Sequence, residues 1–191
     1  MDIIVFAIVA LLLGYRLYTV LGRDDGPIPQ NVSLTPKKSP TEQVRTPDRL
    51  DQLLRKYNVP LFLKPTFSGI LLKDPTFDFR DFLEGAEGAY ELILTHALQH
   101  DLNKVQDYVD PKAQQFLSQL EKVERFRLKI NETTIVGAEF HNVTALITVQ
   151  FKSFIQAKEI VLERLEDWTF SRNLESNNPT WILTEVIPLS V

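Results

Sequence analysis

The chain opens on an apolar run. Residues 3–13 carry no polar side chain, and the run continues through Gly14, Tyr15 and Arg16 to Leu21. At about 1.5 Å per residue, a helix from Ile3 to Leu21 would span about 28 Å, close to the hydrocarbon thickness of a bilayer. Residues 22–47 lose all periodicity: GRDDGPIPQNVSLTPKKSPTEQVRTP has five prolines and hardly a large apolar side chain, the composition of a solvated tether. Thr46-Pro47 then supplies an N-cap and a first-turn proline for a short helix whose stripe is Leu50, Leu53, Leu54 and Tyr57. LFLKPTFSGILLKDP follows, apolar but broken by Pro65, Gly69 and Pro75. It suits an arm packed over a domain or a surface held against a membrane.

From Asp78 the pattern is helical. Asp81 and Glu84 read as a helix start. Phe82, Ala86, Ala89, Tyr90, Ile93 and Ala97 recur at spacings of three and four, which predicts one long helix from Asp81 to Gln99. Gly85 and Gly88 lie inside it and predict close backbone approach to another element. A short helix to Tyr108 and another from Asp110-Pro111, with Ala113, Phe116, Leu120 and Val123 as its stripe, follow.

Beyond Leu128 the period falls to two. Ala145, Ile147, Val149 and Phe151 alternate with Leu146, Thr148, Gln150 and Lys152, the signature of a strand with one buried face. Trp168 and Phe170 repeat that pattern, Asn173 to Pro179 is a polar turn-forming run, and Trp181, Leu183 and Ile187 leave along a last strand. Helices first and antiparallel strands afterwards predict an α+β domain with helices on one face of the sheet. The long helix should cover both tryptophans of the chain. Four parts result: an anchor over 1–22, a tether over 23–47, an amphipathic helix and arm over 48–77, and the α+β domain over 78–191.

Charge changes this picture mainly at the N-terminus. Arg16 and Arg23 flank the apolar run on its C-terminal side, and only Asp2 and the α-amine flank the other. The positive-inside rule then leaves the body in the cytoplasm. A secretory signal peptide fits less well, for want of a basic start and a small-x-small cleavage site. A formal net charge of −4 argues against a nucleic-acid partner. The chain has no cysteine, which excludes disulfides and thiolate metal sites.

Three stretches carry a resemblance. DPTFDFRDFLEGAEGAYELILTHALQHD, VTALITVQFKSF and EDWTFSRNLESNNPTWIL, with F-x-x-G-A, W-T-F-x-R and N-P-x-W in that order, resemble the Tim-forty-four-like domain family. Its members include a mitochondrial import-motor adaptor and bacterial inner-membrane proteins. The resemblance covers about residues 74–187. It implies helices packed on a strongly curved antiparallel sheet, a cone similar to nuclear transport factor two with a deep apolar pocket. Phe82, Tyr90, Ile147, Val149, Phe151, Trp168, Phe170 and Trp181 are the residues placed to line that pocket. Two departures stand out. The family has Gly-Asp after its first long helix where this chain has His100-Asp101, and the stretch between Phe154 and Val161 is short.

Candidate catalytic groups are scattered. Tyr90, His96, Asp101, Tyr108 and Asp167 are the acids and bases a cone enzyme would use, yet no nucleophile, base and orienting group fall together. His96 and His100 are four apart, a spacing that permits a shared metal, but no third ligand is near in the sequence, and two exposed polar residues are the simpler account. No phosphate loop occurs. Asn31, Asn131 and Asn142 begin glycosylation sequons that a cytoplasmic domain would not use. The expectation is therefore an anchored, non-catalytic adaptor without cofactor or metal. It would bind a partner protein, or a lipid acyl chain in the pocket, at the inner face of the membrane, in protein translocation or membrane-protein biogenesis. The inner membrane with the domain in the cytoplasm is the expected location, with the matrix side of the mitochondrial inner membrane as the alternative. A small-molecule carrier or an isomerase or dehydratase using the same pocket is the other function the residues allow.

Overall fold

The computed structural model describes residues 49–190. The expected anchor, the tether and the Thr46-Pro47 cap lie outside the described residues. Four helices and a four-strand antiparallel sheet follow: α1 (Arg49–Lys56), α2 (Lys64–Lys73), α3 (Phe79–Leu98), α4 (Pro111–Leu117), then β1 (Arg127–His141), β2 (Thr144–Ala157), β3 (Ile160–Asn173) and β4 (Ile182–Pro188). The strand order is β1-β2-β3-β4. Helix first, sheet second is the α+β arrangement that the change of period predicts.

The first two helices share the core of the domain. Leu50 and Leu54 of α1 and Phe67 and Ile70 of α2 are buried in the same apolar cluster as Tyr90, Phe151 and Trp168. Gly69 faces the Phe140 ring, and a Cβ there would sit 2.9 Å from its edge. A glycine is what allows α2 to lie this close to the end of β1.

The long helix starts two residues before Asp81, at Phe79, with Asp78 as its N-cap. The Asp78 carboxylate accepts hydrogen bonds from the amides of Arg80 at 2.8 Å and Asp81 at 3.2 Å, satisfying amides that have no partner inside the helix. Gly85 and Gly88 do not mark a close approach, because a Cβ added to either meets nothing within 4 Å. Phe82, Ala86, Tyr90 and Ile93 turn inward, and that rotation puts both glycines on the exposed side.

At its other end α3 closes as a Schellman motif. The Asp101 amide bonds the His96 carbonyl at 2.8 Å and the His100 amide bonds the Ala97 carbonyl at 3.0 Å, with His100 left-handed at φ 58°. Histidine occupies the position glycine fills most readily. Its ring Nε2 lies 2.8 Å from the Leu120 carbonyl, and the Val123 amide bonds the Leu98 carbonyl at 2.8 Å, so the segment after α4 is tied to the end of α3. The short helix expected up to Tyr108 is a pair of 3-10 turns, Leu102–Lys104 and Gln106–Tyr108.

The sheet corrects two expectations. It is not strongly curled, whereas the family resemblance implies a strongly curved cone. Strong curvature needs bulges that bend the strands. The central β2–β3 ladder runs without a bulge from Thr144↔Asn173 to Ala157↔Ile160, and the irregularities lie in the outer ladders. The second correction concerns β4. Strict alternation from Leu183 would turn Ile187 inward. A register shift at Thr169/Phe170 pairs Phe170 with Leu183 but Trp168 with Val186, so Val186 is buried and Ile187 is 45% exposed.

Candidate functional site

The inner face of the sheet gathers the eight residues singled out for a pocket. On β2, Ile147, Val149 and Phe151 point inward, opposite Phe170, Trp168 and Glu166 of β3. Seven of the eight are buried; Trp181, just before β4, is half-buried. Their rings are in contact. Tyr90 stacks on Phe151 with centroids 4.3 Å apart and lies 4.6 Å from Trp168. Phe82 meets Trp181 at 4.9 Å and Phe170 at 6.4 Å. Edge-on and tilted contacts of this kind suit the quadrupoles of aromatic rings.

A polar cluster sits inside this aromatic layer. The Tyr90 hydroxyl is 2.7 Å from Ser153 Oγ and donates to Glu166 Oε2 at 3.1 Å. The other carboxylate oxygen of Glu166 accepts from Arg164 Nη2. Ser153 and Glu166 are essentially inaccessible. Burial first, then the Glu166 carboxylate, push the Tyr90 phenol well above its ordinary value. Burial opposes the charge on Arg164, but the bond and charge of Glu166 outweigh it and hold the guanidinium above its usual range. Two donors nearby on the strand, Arg164 Nε and Trp168 Nε1, are buried without a partner. Period two finds these residues once the inner face is fixed by Trp168 and Phe170, since Glu166 and Arg164 share their parity. What it does not supply is Tyr90, the group from α3 that makes burial of the carboxylate tolerable.

The three motifs behind the resemblance converge on a second cluster. Arg172, the last residue of W-T-F-x-R, pairs with Asp74 at 3.0 Å, and both are largely buried. Asp74 also accepts from the Thr76 amide at 3.1 Å and hydroxyl at 2.6 Å. The Arg172 guanidinium lies 5.9 Å from the ring of Trp181, the last residue of N-P-x-W, and that ring packs on Phe82 of F-x-x-G-A. The motifs hold α3, β3 and the approach to β4 together. Between the strands, Asn173, Ser176 and Asn178 each accept an amide two residues on, which is why that loop is built of Asn and Ser.

The remaining candidate acids and bases stay apart. Asp101 pairs with Lys104 at 2.6 Å, and that hydrogen bond draws its carboxyl below the ordinary value. Asp167 accepts from Gln150 at 3.0 Å on the outer face. Tyr108 is exposed, His96 Nδ1 is buried without a partner, and His100 is engaged in capping. No three metal-capable side chains cluster among the described residues. A shallow cleft of about 450 Å³ lies between Glu91 and Thr95 of α3, Gln99 just after it, and Glu124, Arg125, Phe126 and Leu128. None of the eight residues lines it.

The outer surface has its own apolar features. Leu61 is 44%, Phe62 74% and Leu72 84% exposed. They lie in a stretch from Gln52 to Lys73 that holds Arg55, Lys56, Lys64 and Lys73 and no carboxylate. Ile160, Val161 and Leu162 form a second exposed group at the start of β3. Among the described residues no helix is long and apolar enough to cross a membrane.

Comparison with known proteins gives two matches. Residues 64–188 match the Tim44-like domain. The chain is also 24% identical over 115 residues to an uncharacterized protein of Rickettsia prowazekii (strain Madrid E), covering 58% of this chain and 53% of that protein. It thus spans about half the length of the curated relative it matches.

Proposed function

The chain belongs to the Tim44-like domain family, and from that membership we propose that it is a membrane-tethered, non-catalytic adaptor. In this reading Ile3 to Leu21 anchors the chain in an inner membrane. The domain then works on the cytoplasmic side, or on the matrix side if the membrane is mitochondrial, and docks a partner protein there during protein translocation or membrane-protein biogenesis. The observation that carries the reading is the exposure of large apolar side chains along α2 and the 3-10 turn that precedes it. Phe62 and Leu72 are the two most exposed large apolar side chains of the domain, and they lie in the part of the domain that the tether leads into. Exposed apolar side chains of this size on a tethered domain suit a docking surface. The filled inner face, with its rings in contact and its carboxylate bonded, supports binding by the surface over chemistry within.

A second reading keeps the interior. The unpartnered Trp168 Nε1 and Arg164 Nε beside the Tyr90 hydroxyl are polar groups that a small ligand would satisfy, as a carrier, isomerase or dehydratase would require. Two experiments test the first reading. Full-length protein should stay with membranes through alkaline carbonate, and a chain starting near Thr46 should be soluble and folded. A photo-crosslinker at Leu72 should capture one membrane-associated protein in intact cells, and Phe62→Asp should abolish that capture. Release by carbonate removes the anchor; capture indifferent to Phe62→Asp removes the docking surface.

A further inference from the structure

β3 is an interior strand for part of its length and an edge for the rest. β4 pairs with it from Glu166 to Ser171, and the Leu189 amide adds one bond to the Leu165 carbonyl at 2.8 Å. From Ile160 to Arg164 one side of β3 has no neighbouring strand among the described residues. In an antiparallel ladder the N–H and C=O of one residue point the same way and alternate along the strand. Leu165 faces the β4 side, so Val161 and Glu163 present their backbone groups on that open side. No proline or bulge blunts this edge, and Ile160, Val161 and Leu162 are 62%, 58% and 51% exposed. Such an edge is a template for another strand.

We propose that the occupant is a second copy of this chain, its β3 edge running antiparallel to the first, with Leu162 facing its own counterpart across a two-fold axis. An axis perpendicular to the sheet preserves the face on which each side chain lies. Because faces alternate with period two, the symmetric pairing must set one residue opposite its own copy. Charge selects which. Centred on Val161, Glu159 would oppose Glu163 and Lys158 would oppose Arg164; centred on Glu163, two carboxylates meet. Centred on Ile160, the pairing runs into the turn residues Lys158 and Glu159, which precede the strand. Centred on Leu162, Val161 opposes Glu163 and Ile160 opposes Arg164, with no like charges opposed. That register brings Ile160 and Leu162 of both copies together and lets Val161 and Glu163 exchange backbone hydrogen bonds. The contact is small, below about 1,200 Å², so the dimer is a weak one that forms where the chain is concentrated.

The absence of cysteine makes the test direct. The central pair would have its Cα atoms about 4.5 Å apart, inside the range of about 4.4–6.8 Å that a disulfide spans. Full-length protein carrying Leu162→Cys should cross-link under mild oxidation about tenfold faster than protein carrying Asn142→Cys in the β1–β2 turn, which reports random collision. In the Leu162→Cys background, Ile160→Lys would face Arg164 of the mate and should drop the rate to the Asn142 level. Ile160→Glu at the same exposed position should keep it. A Leu162→Cys rate no faster than the Asn142→Cys rate overturns the proposal, and so does equal behaviour of the Lys and Glu variants.

Discussion

Tyr90 of α3 and Ser153 of β2 meet hydroxyl to hydroxyl at 2.7 Å beneath the helix, with Glu166 as the third partner. The contact joins the helical layer to the sheet through residues 63 apart in sequence. It also fixes what alkali does to the domain. The folded-state pKa of Tyr90 lies above its unfolded value of 10.0, so the stability it contributes is fully present below pH 10 and is lost as pH rises beyond it. The slope should approach about 1.4 kcal/mol per pH unit. Urea unfolding at pH 9 and pH 11 should show this loss in the native chain. Tyr90→Phe should shrink the loss while costing about 1–3 kcal/mol at neutral pH, because Glu166 keeps its place without that donor. An identical pH dependence in both proteins would take the effect away from Tyr90.

Arg172 and Asp74 make a prediction of a different kind. Removing one member of a largely buried pair leaves the other charge unmatched, which costs about 3–5 kcal/mol. Arg172→Ala should therefore lower the denaturation midpoint sharply. Arg172→Met together with Asp74→Leu should recover most of the loss, since no charge is then left buried. A double variant as unstable as the single one would mean that Arg172 matters through packing on Trp181 instead.

The parts of this fold legible in the sequence are those with a local period. Spacings of three and four fix the inward stripe of α3, and period two fixes the inner faces of β2 and β3, including Trp168 and Phe170. What escapes is set by partners distant in sequence. The bulge opposite Thr169 exchanges Val186 for Ile187 on the inner face, and no local signal near Ile187 marks it. Gly85 and Gly88 suggest a close approach that belongs to Gly69, since the packed side of a helix decides which glycine matters. The lack of strong curl goes with an unbroken β2–β3 ladder, a property of the register that composition does not carry. The polar cluster was half legible: parity places Glu166 inward, but the donor that accommodates it comes from a helix 76 residues away.

His100 tests the departure at the end of α3. Its left-handed backbone is strained for any residue with a Cβ, and its ring holds the Leu120 carbonyl. His100→Ala and His100→Gly both lose the ring, and only glycine relieves the backbone. The glycine variant should be more stable than the alanine variant by about 1 kcal/mol, read as a shift in urea midpoint. Equal stability would mean that the Schellman closure relaxes without the histidine ring.

The two tryptophans make the last prediction. Trp168 is fully buried against Tyr90 and Phe151, so Trp168→Ala should cost about 3–5 kcal/mol. Trp168→Phe should cost much less than its lost volume implies, because it also removes a buried indole N–H with no acceptor, itself worth about 1–3 kcal/mol. Trp181 is half-buried at the rim, edge-on to Phe82 and beside Arg172, and Trp181→Phe should leave thermal stability nearly intact. These two phenylalanine variants then decide whether the aromatic layer is only a core. If an acyl chain or an apolar fluorescent probe binds the native domain and Trp181→Phe weakens that binding without changing the melting temperature, the layer opens to ligand at the Trp181 end. If no probe binds and Trp181→Phe destabilises as a core replacement does, the rings serve packing alone, and the domain meets its partners through the surface that carries Phe62 and Leu72.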